Sequence, residues 1–329
     1  MRLAVALVTV YLVWGSTYLA IAVANRTLPP FLMLSVRFLI AGALLYGWTA
    51  WRGELAAARP GRREWGAAAT VGGLLLVVDT GGVAWAELRV PSGMAALLVA
   101  TVPVFIAVLD RVFFGVRLGF GAVAGISIGL VGVALLVGPS GSLDAAGAAV
   151  ILVASLAWAA GSVYARVAPL PRAPLVSASL QMLCAGGLLA VAGIATGELS
   201  RVHPGRISAA SLGAVAFLIV FGSLLAFTAY AWLLKNAPSS LLSTYAYVNP
   251  AVAVFLGWAL VGERVGGKEL AAGLVILSTV ALLVFGRGPR AAAEPIAESL
   301  APYIRRKDAQ ILEFPRPVPR LSELPRIAV

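Results

Sequence analysis

The sequence predicts an all-α integral membrane protein with ten transmembrane helices arranged as two inverted five-helix repeats. Composition, the spacing of apolar runs and an internal duplication lead there. Of 329 residues, 60% are hydrophobic and 12% charged, with a mean hydropathy of +0.95. A soluble globule of this size has no means of hiding so much apolar surface from water, so the solvent for most of the chain is lipid.

A spanning helix needs roughly 20 apolar residues, and ten such runs occur between short polar breaks. They cover about 3 to 24, 31 to 51, 65 to 86, 90 to 110, 118 to 138, 145 to 165, 174 to 196, 208 to 233, 237 to 261 and 268 to 286. The first carries a polar centre, Trp14-Gly15-Ser16-Thr17-Tyr18, and exceeds a signal peptide's apolar core, so it is expected to be retained. Pro29-Pro30 precedes the second and Gly61-Arg62-Arg63 the third. Pro139-Ser140-Gly141 separates the fifth from the sixth, and His203-Pro204-Gly205 the seventh from the eighth. All four are turn or helix-start chemistry.

Residues 84 to 137 match residues 231 to 284 without a gap. Trp85 pairs with Trp232, Pro91-Ser92 with Pro238-Ser239, Pro103 with Pro250, Gly115 with Gly262, and Arg117 with Arg264. The expected division is residues 1–140, 141–286 and a tail, 287–329. Five spans is an odd number, so the second copy enters the membrane from the opposite side. Antiparallel halves give two nearly equivalent arrangements related by exchanging conformations, a recurring basis of alternating access with substrate held near the midplane.

Charge sets the expected orientation. With the N-terminus inside, the cytoplasmic side holds Arg2, Arg52, Arg59, Arg62, Arg63, Arg111, Arg117, Arg166, Arg172 and Lys235, against Arg26, Arg89, Arg201, Arg206, Arg264 and Lys268 outside. Ten spans return the C-terminus to the cytoplasm, where the tail adds eight more basic residues. The net charge of +11 thus records topology, and no nucleic-acid partner is expected. Seven prolines and mixed charge predict a disordered tail that can touch anionic lipid.

The lone Cys184 and lone His203 exclude an intramolecular disulfide and offer no metal cluster. Neither a metal nor a cofactor is expected. No Walker sequence is present, and glycines such as Gly72-Gly73 and Gly81-Gly82 read as helix-packing surface.

Intramembrane charge asks for a reason, at about 2.5 to 3.5 kcal/mol per group on insertion scales. Asp79, mid-span, is either a proton or substrate-amine site, or a structural carboxylate satisfied by backbone or Arg37. Arg37 reads as a structural or gating ion pair. Glu87, at the end of span three, reads as an outer gate or a solvated face, with a proton site as the minority reading. Trp14, Ser16, Thr17 and Tyr18 have approximate counterparts in Trp158, Ser162 and Tyr164, and both sets are expected near the midplane. Ser243, Thr244, Tyr245, Tyr247 and Asn249 form the densest polar stretch in any span and suit either substrate binding or interhelical bonding. With Trp85, these side chains make the expected cavity. Pro103 and Pro250 are expected to kink spans four and nine as mirror images, either as a flexing gate or as a static kink that shapes the cavity.

Taken together, Val13-Trp14-Gly15-Ser16-Thr17-Tyr18, Arg37-Phe38 with Ala41-Gly42, Trp85-Ala86-Glu87 with Val90-Pro91-Ser92-Gly93, the Pro103 span and Gly262-Glu263-Arg264 resemble the EamA-type transporters of the drug/metabolite transporter superfamily. The likeness covers residues 4 to 286. It implies ten helices with both ends cytoplasmic in a cell inner membrane, a central cavity, and export of small metabolites such as amino acids. The chain departs from the pattern at Val116, where the family commonly carries an acid that the second copy keeps as Glu263.

The expected function is secondary active export of a small molecule by alternating access, with protons as candidate coupling ion and membrane lipid as the surrounding partner. A channel or an efflux pump for lipophilic cations is the alternative, since Asp79 with Trp14 and Trp85 suits a cation. A membrane enzyme is not expected, because a single loop histidine and ungrouped carboxylates supply no nucleophile with its base. Ten sealed spans can act as a monomer or a weak dimer.

Overall fold

Proline and glycine set most of the helix boundaries. A computed structural model of the chain describes residues 2–115, 120–137, 144–237, 245–263 and 266–285, and among these every regular element is helical. The elements are α1 (Arg2–Ala24), α2 (Pro30–Trp51), α3 (Glu54–Ala58), α4 (Arg62–Gly72), α5 (Gly81–Ala86), α6 (Ser92–Val99), α7 (Val102–Phe114), α8 (Phe120–Val137), α9 (Ala145–Ala165), α10 (Pro174–Ala195), α11 (Ala209–Phe217), α12 (Ala226–Asn236), α13 (Tyr245–Val261) and α14 (Gly267–Phe285). Proline opens α2 and α10 at a position whose missing N–H would have no intrahelical partner. Gly53 and Gly197 follow the ends of those same helices at φ of 74° and 73°, a left-handed conformation that costs a Cβ-free residue little.

Two spans contain a stretch of wider winding. Gly73–Thr80 joins α4 to α5, and Leu218–Leu225 joins α11 to α12, each as eight residues of π-helix. The Thr80 hydroxyl donates to the Leu75 carbonyl at 3.1 Å, five residues back. Such bulges leave backbone groups less regularly paired and recur at functional sites.

Seven segments are long and apolar enough to cross a membrane: Arg2–Ala24, Pro30–Trp51, Arg62–Ala86, Ser92–Phe114, Ala145–Ala165, Pro174–Ala195 and Ala209–Tyr230. Large apolar side chains such as Leu44, Phe113, Val191 and Phe221 lie exposed on their outer faces. That surface suits lipid rather than water.

Inside, packing relies on small residues and, among the described residues, on three separate apolar clusters. Phe38, Leu34, Met182, Leu189 and Leu218 join α2 to α10 and the α11 span. Met94, Leu98, Ile151 and Ile276 join α6, α9 and α14. Leu7, Val10 and Leu233 close α1 against α12. The α2–α10 contact is reciprocal: a Cβ on Gly42 would lie 3.0 Å from Leu183 N, and one on Gly186 would lie 2.9 Å from Leu39 N. Leu183 and Leu39 are separated by the same 144 positions as Gly186 and Gly42.

Side-chain ties gather the connections into two ends. At one end, Asn25 Nδ2 donates to the Ala84 carbonyl at 2.7 Å, Thr27 Oγ1 donates to Ser211 Oγ at 2.7 Å, and Glu263 meets Ser92. At the other, Arg166 Nη1 donates to Asp110 Oδ1 at 2.7 Å. These are called the Ser92 end and the Arg166 end below.

The expected mirror kinks take different forms. Span four is interrupted at Ala100–Thr101, and Pro103 falls in the first turn of the new helix α7. Its absent N–H lies where an intrahelical bond is not required. Pro250 instead lies inside α13.

Candidate functional site

Trp14 and Tyr18 of α1, Trp158 of α9 and Tyr245 of α13 come together around an aromatic cluster. Trp14 packs against Tyr230 with ring centroids 5.0 Å apart, against Tyr245 at 5.5 Å and against Phe227 at 5.7 Å. Tyr245 lies in electrostatic range of Tyr230, Tyr18 and Asp79, and the Trp158 side chain approaches it. Tyr18 in turn lies in electrostatic range of both Asp79 and Glu87. Four helical spans thus bring three phenolic hydroxyls and two carboxylates into one neighbourhood.

The acids are the unusual members. Asp79 sits within the Gly73–Thr80 π segment, 5% exposed, and its Oδ1 has no hydrogen-bond partner among the described residues. Both carboxylate oxygens of Glu87 are likewise buried and unpartnered. A solvated helix end was one expectation for Glu87, and burial replaces it. Arg89, the nearby cation in sequence, stacks over Trp85 at 4.7 Å and approaches Asp144 at 3.9 Å, so it is turned elsewhere. Unpaired buried oxygens are costly unless a proton, water or ligand group satisfies them.

Arg37 does not meet Asp79 as a bonded pair. Its Nε donates to Ser223 Oγ at 3.0 Å, inside the Leu218–Leu225 π segment, and its Nη1 has no partner among the described residues. Trp14 Nε1 donates to the Gly222 carbonyl at 3.3 Å, and a Cβ on Gly222 would lie 3.2 Å from both Thr17 and Arg37. The glycine lets α1 and α2 approach the wider winding together. Ser223, Gly222, Tyr230 and Phe227 are participants that the sequence reading missed. The only signal for the first two was a polar break in an apolar run.

Other expected residues serve packing. Ser16 and Thr17 hydroxyls return to backbone carbonyls of their own helix, those of Val13 at 2.8 Å and Trp14 at 2.6 Å. With its amide turned to suit the acceptors around it, Asn249 donates to the carbonyls of Tyr245 at 3.3 Å and Tyr11 at 3.2 Å, binding α13 to α1. Ser162 is half-buried on α9, and Trp85 packs beside the Met94 and Leu98 cluster. The side chain of Tyr247 and the whole of Ser243 and Thr244 lie outside the described residues, as do Val116 and the tail. Among the described residues, no group of three or more His, Cys, Asp or Glu is arranged to hold a metal.

Comparison with known proteins fits this framework. A model of the EamA-like transporter family matches residues 1–138 and 145–285. The chain is 40% identical over 285 residues to the uncharacterized inner membrane transporter YedA of Escherichia coli (strain K12), across 86% of this chain and 90% of that one. It is 25% identical over 287 residues to Protein PecM of Dickeya dadantii (strain 3937), across 83% of this chain and 88% of the other. A solved structure described as "Crystal structure of protein" superposes with a TM-score of 0.58 at 21% identity, covering 85% of this chain and 95% of its own. That likeness concerns the fold alone.

Proposed function

This chain belongs to the EamA-like transporter family and is a multi-pass membrane protein, and from that premise we propose that it is a secondary active transporter exporting small metabolites, amino acids or related compounds, by alternating access with proton coupling. The proposed architecture is ten helices in two inverted repeats, residues 1–140 and 141–286, with both ends cytoplasmic. Support comes from the ungapped duplication, the reciprocal Gly42–Leu183 and Gly186–Leu39 contacts, and a π segment in each half. Wide winding at comparable depth in both halves supplies two weak points between which a rocking motion can be shared.

One observation carries the reading: Asp79 presents an unpartnered, buried carboxylate oxygen beside Tyr18 and Tyr245, between spans from both halves. A proton or an amine satisfies that oxygen at one step and leaves at another, which is what coupling requires. Tyr18, Trp14, Tyr245 and Trp158 offer stacking faces and hydroxyls without fixed charge, so a bound solute is held and then released.

The aromatic group Trp14, Phe227, Tyr230 and Tyr245 near the acid also favours a second reading, efflux of lipophilic cations. Flux into proteoliposomes under an imposed pH gradient separates the two. Competition by neutral amino acids and not by quaternary ammonium compounds supports the first, and the reverse supports the second. Asp79→Asn is expected to abolish gradient-driven flux, and undiminished drive in that variant retires Asp79 as the coupling site.

A further inference from the structure

A carboxylate from the second half of the chain closes the start of a helix in the first. Glu198, 2% exposed, follows Gly197 just beyond α10. Its carboxylate accepts from Leu32 N at 2.9 Å and from Phe31 N at 3.3 Å, the first-turn amides of α2 that have no intrahelical partner. Such charge-assisted caps at a helix N-terminus are among the stronger polar contacts a fold can make.

The same elements exist once more in the chain, 144 positions earlier. Pro30 corresponds to Pro174, Ala41-Gly42 to Ala185-Gly186, and Gly53-Glu54 to Gly197-Glu198. The two turn glycines share their left-handed φ. By this register Glu54 is the counterpart of Glu198, and its amides are those of Leu175 and Val176. That second cap is not made. Glu54 instead pairs with its neighbour Arg52 at 3.2 Å, half-exposed, while the N-terminus of α10, preceded by Ala173, has no side-chain cap. The position corresponding to Arg52 is Thr196, whose hydroxyl returns to the Ala192 carbonyl at 2.8 Å, so Glu198 has no adjacent cation to compete for it.

A second carboxylate acts at the Ser92 end. Glu263 accepts from Ser92 N, Ser92 Oγ and Gly93 N, but its counterpart in the first half is Val116. Of the two inter-half carboxylate caps that hold the Ser92 end, only Glu198 has an acidic counterpart for the Arg166 end.

We propose that Glu54 is the gating counterpart of Glu198: as α2 and α10 scissor about their Gly42 and Gly186 crossing, Glu198 releases the α2 amides at the Ser92 end and Glu54 leaves Arg52 to cap Leu175 and Val176 at the Arg166 end. This rests on the alternating-access reading above. The exchange trades a half-exposed ion pair, worth little beside water, for a sequestered cap on helix amides, so it is feasible in either direction. The short helix α3, which carries Glu54, already packs on α10.

The test uses full-length protein in native membranes, with Cys184→Ala removing the chain's only cysteine. Phe31→Cys with Leu199→Cys reports the Ser92 end, and Leu175→Cys with Leu55→Cys reports the Arg166 end, each read by a bifunctional methanethiosulfonate cross-linker. Glu54→Gln is expected to lower the Arg166-end yield about tenfold, the size expected for losing a charge-assisted hydrogen bond, and to raise the Ser92-end yield. Glu198→Gln is expected to shift the yields in the opposite direction. Glu54 is half-exposed, so its variant folds and is the deciding one. An Arg166-end yield that is present but unchanged by Glu54→Gln overturns the role of Glu54 alone. An Arg166-end pair that cross-links in no background overturns the alternation itself, and the proposal with it.

Discussion

Arg166 and Asp110 form the shortest ion pair described, at 2.7 Å, with only 19% and 10% of their side chains exposed. It ties the end of α9 to the last turns of α7 across the two halves. Removing one partner leaves the other charge sequestered, so Asp110→Asn is expected to cost about 2 kcal/mol, within the range for charged hydrogen bonds. Asp110 has a further contact besides Arg166, so exchanging the two residues should recover only part of that loss. The apparent melting midpoint in detergent measures both. A midpoint unchanged in Asp110→Asn removes the pair from the list of stabilising contacts.

Glu263 supports a graded prediction, because its carboxylate accepts three bonds of different kinds. Ser92→Ala removes the hydroxyl bond alone and should cost about 1 kcal/mol. Glu263→Ala removes all three and strips the α6 N-terminus of its anion, costing about 2 to 3 kcal/mol. Gly257→Ala should resemble the larger loss, since a Cβ there collides with that same carboxylate. If Ser92→Ala proves the most damaging of the three, the carboxylate is not the organising group.

Two glycines in one helix separate close packing from simple propensity. A Cβ on Gly72 would lie 2.6 Å from the Gln181 carbonyl oxygen, a backbone atom that cannot step aside. Gly66, earlier in α4, has nothing within 4 Å. Gly72→Ala is therefore expected to lower the melting midpoint by forcing α4 from α10. Gly66→Ala should raise it slightly, by the roughly 0.8 to 1 kcal/mol that alanine gains over glycine in a helix. Equal effects at both positions would mean the α4–α10 approach is looser than described.

Legibility differed by kind of feature. Lengths of apolar run and proline positions are local, so Pro29-Pro30 marked the start of α2, the run from residue 174 matched α10, and the membrane class followed from composition. Trp14, Tyr18, Trp158 and Tyr245 stood out in the sequence, because polar and aromatic groups in lipid are expensive and therefore conspicuous, and the fold brings them close together. The π segments were not legible: Gly73–Thr80 and Leu218–Leu225 are as apolar as their flanks, and their winding is set by what packs on them. Missing them hid Gly222 and Ser223. The partner of Arg37 followed suit, since charge suggested Asp79 while the fold supplied a serine 186 residues away.

That serine makes Arg37 a test of purpose. The guanidinium is 5% exposed, lies 4.8 Å over the Phe38 ring, makes one bond to Ser223 and leaves Nη1 unpartnered. A residue kept only for stability would sit opposite a carboxylate, because a sequestered charge without one costs several kcal/mol. The equivalent position on α10 is Gln181, which bonds Ser177 at 2.9 Å in the same helix. Arg37→Gln is accordingly expected to hold or raise the melting midpoint while lowering flux by about tenfold, the size of one charged hydrogen bond. Ser223→Ala, which frees the guanidinium without removing it, should change the apparent affinity more than the maximal rate. A midpoint that falls sharply in Arg37→Gln, with flux per folded molecule intact, would assign the arginine to structure instead.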